Sequence, residues 1–239
     1  MVRRAAVFGA GGGIGAALGQ ALAADPAYGE VWLGARSALP APASHQVRTF
    51  RFDSDDEPSL AAAAALIGGE LDLIFVATGL LHRDGLPPPE KSYRSLDPAA
   101  MIELYRANTI GPAMIARHFL PLLPRSCRAV FAVLSAKVGS IGDNRLGGWH
   151  SYRAAKAALN MLVANFAIEL KRSHPQAVVA ALHPGTVDTP LSAPYQRGLP
   201  PGQVTSPDAT AAALLATLAQ LTTEQSGGLY AWDGTRLPW

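Results

Sequence analysis

Tyr152 and Lys156 stand four residues apart in Tyr152-Arg153-Ala154-Ala155-Lys156, a spacing that puts both side chains on one face of a helix. A phenol, with an ordinary pKa near ~10, is a sluggish acid–base group at neutral pH. A neighbouring ammonium stabilises the phenolate and draws that pKa toward the working range, which makes the pair a sensible proton donor for a carbonyl oxygen. Tyr-x-x-x-Lys also arises by chance as a solvated helical pair, so it needs a second site beside it. Ala5-Ala6-Val7-Phe8 followed by Gly9-Ala10-Gly11-Gly12-Gly13-Ile14-Gly15 supplies one. It reads as a buried strand, a glycine turn and a helix start, the arrangement with which backbone cradles the pyrophosphate of a dinucleotide. Gly9 lets the chain turn tightly out of the strand. Gly13 lets backbone approach the phosphates, and Gly15 lets the helix sit close to the sheet. The helix start offers free N–H groups to the anion.

These groups need a scaffold that brings distant segments to one edge. Apolar strand-like runs alternate with helix-like segments along the chain. Strands are expected at Val7-Phe8, Val31-Trp32-Leu33, 46–52, 71–76, 129–134, 177–182 and 229–232. Helices are expected at 14–24, 59–67, 151–173 and 207–221, with two more within 97–122 separated near 106–108. The run 71–76 is continuously apolar, as suits a strand covered on both faces. This alternation predicts an α/β fold: a doubly wound, mostly parallel, Rossmann-like sheet of about seven strands with helices on both faces. Leu86-Pro87-Pro88-Pro89 and Leu199-Pro200-Pro201 fit surface loops, and no linker divides the chain, so a single domain over 1–239 is expected. Ligands of such sheets bind beyond the carboxyl ends of the strands, which places the chemistry after Phe8, Leu33, Val76, Leu134 and Leu182.

Composition narrows the function classes. The 239 residues are 49% hydrophobic and 16% charged, with a formal net charge of only +2, enough for a sizeable core and without a basic stripe for nucleic acid. The six histidines are scattered and form no ligand pair, so no metal site is expected. Cys127 is the only cysteine, which excludes an internal disulfide and fits a reducing cytoplasm. It reads as a small, partly buried side chain. Arg3-Arg4 and the apolar residues after them mimic a secretory signal, but five glycines between positions 9 and 15 make a poor hydrophobic helix. No stretch is apolar enough to span a bilayer.

The pattern Gly9 to Gly15, then Tyr152-x-x-x-Lys156, then Pro184-Gly185-Thr186-Val187-Asp188-Thr189, in that order, resembles the short-chain dehydrogenase/reductase family across essentially the whole chain. The segment from Leu134 to Asn144, then Gly147-Gly148-Trp149-His150-Ser151-Tyr152, and the ending Ala231-Trp232-Asp233-Gly234-Thr235 look like its C-factor and sniffer-like branch. Members of that branch are carbonyl reductases or developmental signalling proteins. The resemblance implies hydride transfer between a nicotinamide and a carbonyl or alcohol. It casts Tyr152 as proton donor and Lys156 as the group that lowers the phenol pKa and holds the nicotinamide ribose. Asn108 would support a proton-relay water near Lys156; read alone, it is a helix-breaking Asn that bonds its own backbone. Gly9, Gly11, Gly12, Gly13 and Ile14 would hold the pyrophosphate, and Ala77, Thr78 and Gly79 would let the cofactor ribose approach. Val187 and the Thr189 hydroxyl, with Pro184 and Gly185 before them, would meet the carboxamide.

Three departures from the family stand out. Its substrate-orienting Ser lies three residues before a Gly, which from Gly139 gives Ala136. Ser135 takes the role through a local shift, or Ser140 does, or one oriented dipole on the developing oxyanion is lost; Ser135 is the best candidate. Val76-Ala77-Thr78-Gly79 replaces the family's Asn-Asn-Ala-Gly, and Phe8 replaces a Thr before the first glycine.

After the second strand, Leu33-Gly34-Ala35-Arg36-Ser37 has no acid of the kind that binds the NAD ribose, whereas Arg36 and Ser37 suit a 2′-phosphate. NADP(H) is therefore expected ahead of NAD(H). Asp53 falls beside the adenine by resemblance, or is a turn former in Asp53-Ser54-Asp55-Asp56. The loop-like stretch 190–204, with Trp149 and His150, suits an apolar wall that closes over a small carbonyl or alcohol substrate. Related proteins pair through helices matching 102–122 and 151–173, so a homodimer or homotetramer is a further expectation. A nucleotide-binding sensor of the C-factor type with little turnover is the alternative, and an epimerase or dehydratase lacks room for its extra substrate domain.

Overall fold

The protein is described here by a computed structural model that covers residues 2–41 and 44–239. Its strands and helices follow in the order β1 (Arg3–Phe8), α1 (Gly13–Ala24), β2 (Tyr28–Ala35), β3 (Val47–Arg51), α2 (Glu57–Ile67), β4 (Leu73–Val76), α3 (Pro98–Tyr105), α4 (Gly111–Phe119), β5 (Ala129–Leu134), α5 (His150–Ser173), β6 (Ala177–His183), β7 (Thr186–Val187), β8 (Val204–Thr205), α6 (Pro207–Gln220), β9 (Gly228–Ala231) and β10 (Arg236–Leu237). The main sheet has eight strands in the order β10-β9-β6-β5-β4-β1-β2-β3. All pair in parallel except β10, which turns back antiparallel on β9. The winding reverses between β1 and β4, which opens a crevice at their carboxyl ends, where Gly9 and Ala77 lie.

Both faces of the sheet are covered, as the continuous apolar strands require. One core joins α2, α4 and α5 to the sheet, and the other joins α1 and α6. Phe8 is fully buried and meets Phe50, Phe52 and Phe119 edge-on at 5.3, 5.0 and 4.7 Å. The aromatic residue ahead of the glycine turn is thus a core keystone on the face away from α1. Helix starts follow local chemistry: Asp97 Oδ1 accepts from Ala100 N at 2.7 Å, and Ser206 Oγ accepts from Ala209 N at 3.1 Å, each just before a proline.

Four details differ from the sequence expectation. The sheet gains β10, a two-residue strand too short to show a period. The stretch 190–204 is not all loop, since Val204 enters β8, which pairs with β7 in a small separate ladder. No break separates the helices within 97–122; a π-helical segment, Arg106–Ile110, joins α3 to α4. Cys127 is exposed rather than partly buried. Among the described residues no helix is long and apolar enough to cross a membrane.

Candidate active site

The glycine turn is built by close backbone approach. Gly9 N and Ala10 N both donate to Gly34 O at 2.9 Å, which draws the turn over β2. Gly9 has φ +87, and a Cβ there would lie 3.0 Å from the Ala77 carbonyl carbon. A Cβ on Gly15 would lie 2.2 Å from Gly9 O, and one on Gly13 2.8 Å from Thr189 Cγ2. The turn therefore touches the segment after β4 and the segment after β7. No side chain caps α1, and its first turn carries no acid, so its leading N–H groups face an anion site unopposed. Thr78 Oγ1 is buried beside this turn without a hydrogen-bond partner among the described residues. A glycine cradle at a helix start beside an orphaned buried hydroxyl fits a dinucleotide.

Tyr152 and Lys156 project from the first turns of α5, and both are buried. Lys156 Nζ donates to Leu134 O at 2.8 Å and sits 5.7 Å from the Tyr152 ring centre. Burial pulls the Lys156 ammonium down to about 7 and pushes the Tyr152 phenol well above its ordinary range. At neutral pH the phenol is thus protonated, held there by desolvation. Asn108 lies in the π-helical segment, fully buried. Its Nδ2 donates to Leu80 O at 2.7 Å and Leu104 O at 2.9 Å, and its Oδ1 accepts from Leu80 N at 3.1 Å. It thereby holds the segment after β4 as well as its own helix. A Cβ on Gly79 would lie 3.3 Å from Asn108 Oδ1 and 3.7 Å from Lys156 Nζ, so Gly79, Asn108 and Lys156 meet at one point. Thr109 Oγ1 donates to Ala155 O at 2.8 Å, which locks the π segment to α5 next to Lys156.

The serines lie differently. Ser135 is buried, and its hydroxyl donates to Asn160 Oδ1 at 2.7 Å. Asn160 Nδ2 reaches Gly139 O at 3.3 Å. Ser140 Oγ accepts from Asp143 N at 3.1 Å. The residue packed into the cluster around Tyr152 is Ala136, with Leu80, Leu81, Leu104, Val138 and Trp149. The Trp149 ring stands edge-on to Tyr152 at 6.3 Å and to Tyr195 at 5.0 Å, so the stretch after β7 contributes to this apolar wall.

The other expected positions lie at the glycine turn or at the carboxyl ends of β2, β3, β6 and β7. Gly11 faces Ala35, and Ile14 packs on the α1 core. Gly12 caps the start of α1. Arg36 and Ser37 are exposed at the carboxyl end of β2. Asp53 Oδ1 accepts from Asp55 N at 3.0 Å, within its own turn. Pro184 and Gly185 follow β6, and Gly185 has φ +77. Val187 O accepts from the Thr189 hydroxyl at 3.3 Å. Sequence reasoning missed Arg51, whose Nε donates to Arg36 O at 3.3 Å and so brings a second guanidinium to the β2 corner. It also missed Asn160 and the buried carboxylate of Glu90; neither carries a local spacing signal.

A family profile described as short chain dehydrogenase matches residues 3–199. Over 183 residues, 76% of this chain and 74% of the relative, the chain is 34% identical to the 1-hydroxy-2-glutathionyl-2-methyl-3-butene dehydrogenase of Rhodococcus sp. (strain AD45). It is 32% identical to C-signal of Myxococcus xanthus over 145 residues, 60% of this chain and 81% of that one. Among solved structures, the NADPH-bound carbonyl reductase from chicken fatty liver superposes with TM-score 0.83 at 25% identity, covering 100% of this chain and 94% of that one. The chain belongs to the short chain dehydrogenase family. It is an oxidoreductase of that family, acting on carbonyl or CH–OH groups with a nicotinamide cofactor, and its likeness to C-signal agrees with the C-factor side of the resemblance.

Proposed function

We propose that the protein is an NADP(H)-dependent carbonyl reductase or alcohol dehydrogenase for a small apolar substrate, working as one domain. The observation that supports this most is the buried meeting of Tyr152, Lys156 and Asn108 beside Gly79, at the end of the glycine cradle. The nicotinamide, when bound, supplies or accepts the hydride. Gly11, Gly13 and Ile14 hold the pyrophosphate with backbone N–H groups, and Gly9 and Gly12, whose N–H groups donate to Gly34 O and Gly9 O, shape the turn beneath it. Ala77, Thr78 and Gly79 line the path of the riboses, with the orphaned Thr78 hydroxyl facing a partner there. Lys156 and Tyr152 hold the nicotinamide ribose, and Pro184, Gly185, Val187 and Thr189 meet the carboxamide end. Asp53 stands at the adenine end. Tyr152, kept neutral by burial, gives its proton to the carbonyl oxygen during reduction and takes it back from the alcohol in reverse. Asn108 fixes the segment after β4, at Gly79 and Leu80, that faces the Lys156 amine. Ser135 acts one step removed, through Asn160 and the turn at Gly139.

Preference for NADP(H) rests on the β2 corner. Arg36 and Ser37 are exposed there without an acid, and Arg51 adds a second cation. A cytoplasmic location fits the lone cysteine. Association of copies through α5 and the helical stretch 102–122 fits the exposed Ile102 on α3, Ile110 in the π-helical segment, and Met161 and Ile168 on α5. The Tyr152–Lys156 pair, intact and buried, argues against a sensor with little turnover.

The test is oxidation of NADPH, beside NADH, by the purified protein against a panel of aldehydes, ketones and quinones. Turnover with NADPH that disappears in Tyr152→Phe supports the reading. Tight NADPH binding without turnover would support the sensor, and failure to bind either nucleotide would overturn the assignment of the glycine cradle.

A further inference from the structure

α5 starts without any local help. Its N-cap residue, Trp149, has φ 49 and ψ 41 and makes no side-chain cap bond, and the first turn holds no acid. Gly147 and Gly148 before it also have positive φ, 62 and 65. Three successive residues in the left-handed region leave the helix start with no locally preferred direction, and Trp149 is the one non-glycine residue with positive φ among those described. The missing cap comes from a distant loop. Glu90 is only 6% exposed. Its carboxylate accepts from the Ser151 hydroxyl and, at 3.3 Å, from Ser151 N. Its backbone carbonyl accepts from Trp149 N at 2.5 Å. A carboxylate on the leading N–H groups of a helix satisfies orphan donors and complements the positive end of the helix dipole.

We propose that Glu90 is a positioning residue for the reaction. Acting through Ser151 and the Trp149 turn, it fixes where α5 begins and so aims the Tyr152 hydroxyl and the Trp149 wall at the substrate carbonyl. This rests on Tyr152 being the proton donor. Ser151 immediately precedes Tyr152, so a shift of the first turn is passed directly to the phenol. The cap also ties the loop after Leu81 to the helix, which joins both sides of the cluster around Tyr152.

The test compares Glu90→Ala, Glu90→Gln, Ser151→Ala and the Glu90→Ala/Ser151→Ala double variant. Reduction of 9,10-phenanthrenequinone gives kcat and KM, NADPH fluorescence gives the nucleotide Kd, and amide hydrogen exchange reports residues 149–156. Glu90→Ala is expected to lower kcat about 10- to 100-fold, the order that a misplacement near ~1 Å costs, with KM and NADPH Kd within about twofold. Glu90→Gln, which keeps the shape and an acceptor oxygen, restores most of that loss. The double variant is no slower than Glu90→Ala, because both changes break one interaction. Exchange at 149–156 rises in Glu90→Ala and much less in Glu90→Gln. Wild-type turnover in Glu90→Ala, a loss confined to KM or nucleotide Kd, no rescue by Gln, or unchanged exchange at 149–156 would each overturn the proposal. Should Glu90→Ala not fold, Ser151→Ala decides, with a kcat-only loss and faster local exchange expected and wild-type behaviour refuting. If the wild-type protein does not reduce this quinone, the carbonyl-reductase reading fails on that probe, and exchange at 149–156 still decides whether Glu90 fixes the start of α5.

Discussion

Replacing Lys156 by methionine should flatten the dependence of stability on pH above neutrality. Lys156 is 2% exposed, and its amine has one hydrogen-bond partner, Leu134 O at 2.8 Å. No carboxylate pairs with it among the described residues. Burial pulls it from an ordinary 10.5 to about 7. Between those values the folded amine is neutral while the unfolded one binds a proton, so unfolding takes up a proton and stability rises with pH. The contribution is fully present above 10.5, is lost progressively as pH falls, and is gone below about 7. The full span amounts to about 5 kcal/mol, at about 1.36 kcal/mol per tenfold change. The clean window lies at about pH 7.5–9.5, worth about 2–3 kcal/mol. Below it His183, pulled down to about 4 from 6.5, has finished titrating. Above it the burial-raised Tyr28, Tyr152, Tyr195 and Tyr230 begin to ionise in the unfolded chain, which reverses the slope. Methionine keeps the length and flexibility of the stem and does not titrate. Urea unfolding at several pH values, without nucleotide, measures the difference between wild type and Lys156→Met. Equal slopes across the window would refute the idea that Lys156 is held neutral by burial.

Ala136→Ser should place a hydroxyl in the Tyr152 cluster. A single oxyanion donor is worth about 2.7–4 kcal/mol in an evolved site, so an added one should raise kcat/KM about 3- to 30-fold with NADPH affinity unchanged; a fall in kcat/KM would show that position 136 does not face the reacting oxygen. Gly15→Ala puts a Cβ 2.2 Å from a backbone oxygen that no rotamer can relieve. It should cost about 1–3 kcal/mol in thermal or urea unfolding and weaken NADPH binding, and a wild-type melting point would refute the close approach. Arg51→Ala should weaken NADPH binding about tenfold and leave NADH unchanged, as read by nucleotide fluorescence titration. Equal loss for both nucleotides would place Arg51 away from the 2′-phosphate.

Much of this architecture was legible because its signals are local. Continuous apolar runs marked the buried strands, and the glycine turn marked the crevice. What escaped depends on partners distant in sequence. A π-helical segment of five residues is too short to show a period of its own, so 106–108 read as a break between two helices rather than as the joining turn that carries Asn108. Asn108 reads as a helix breaker until Leu80, twenty-eight positions away, supplies both halves of its amide pairing. Capping is recognised by residues within one turn, so a helix capped by Glu90, sixty-one positions from Ser151, looks merely uncapped. Arg51 alternates outward on an edge strand and reads as surface charge until its guanidinium meets the Arg36 carbonyl. The hydroxyl at position 135 lies beside the expected place in the chain, yet strand alternation turns it toward Asn160 and presents the Ala136 methyl to Tyr152.

The Tyr152–Lys156 pair also works differently from the simple expectation that an ammonium holds down a phenol pKa. At an effective dielectric near 20, a charge 5.7 Å from the ring centre attracts the phenolate by about 3 kcal/mol. That attraction exists only while Lys156 is protonated, and burial has already brought the ammonium to the edge of neutrality. The two groups therefore titrate as a unit, and forming the phenolate strengthens proton binding at the amine. In the reaction we propose, Tyr152 would pass its proton to a carbonyl oxygen, and a proton on Lys156 would balance the negative charge left in the buried corner. Ala136 adds no donor beside them. On that mechanism the charge that develops as hydride arrives would fall on this coupled pair, and the placement of the first turn of α5 would be decisive for the rate.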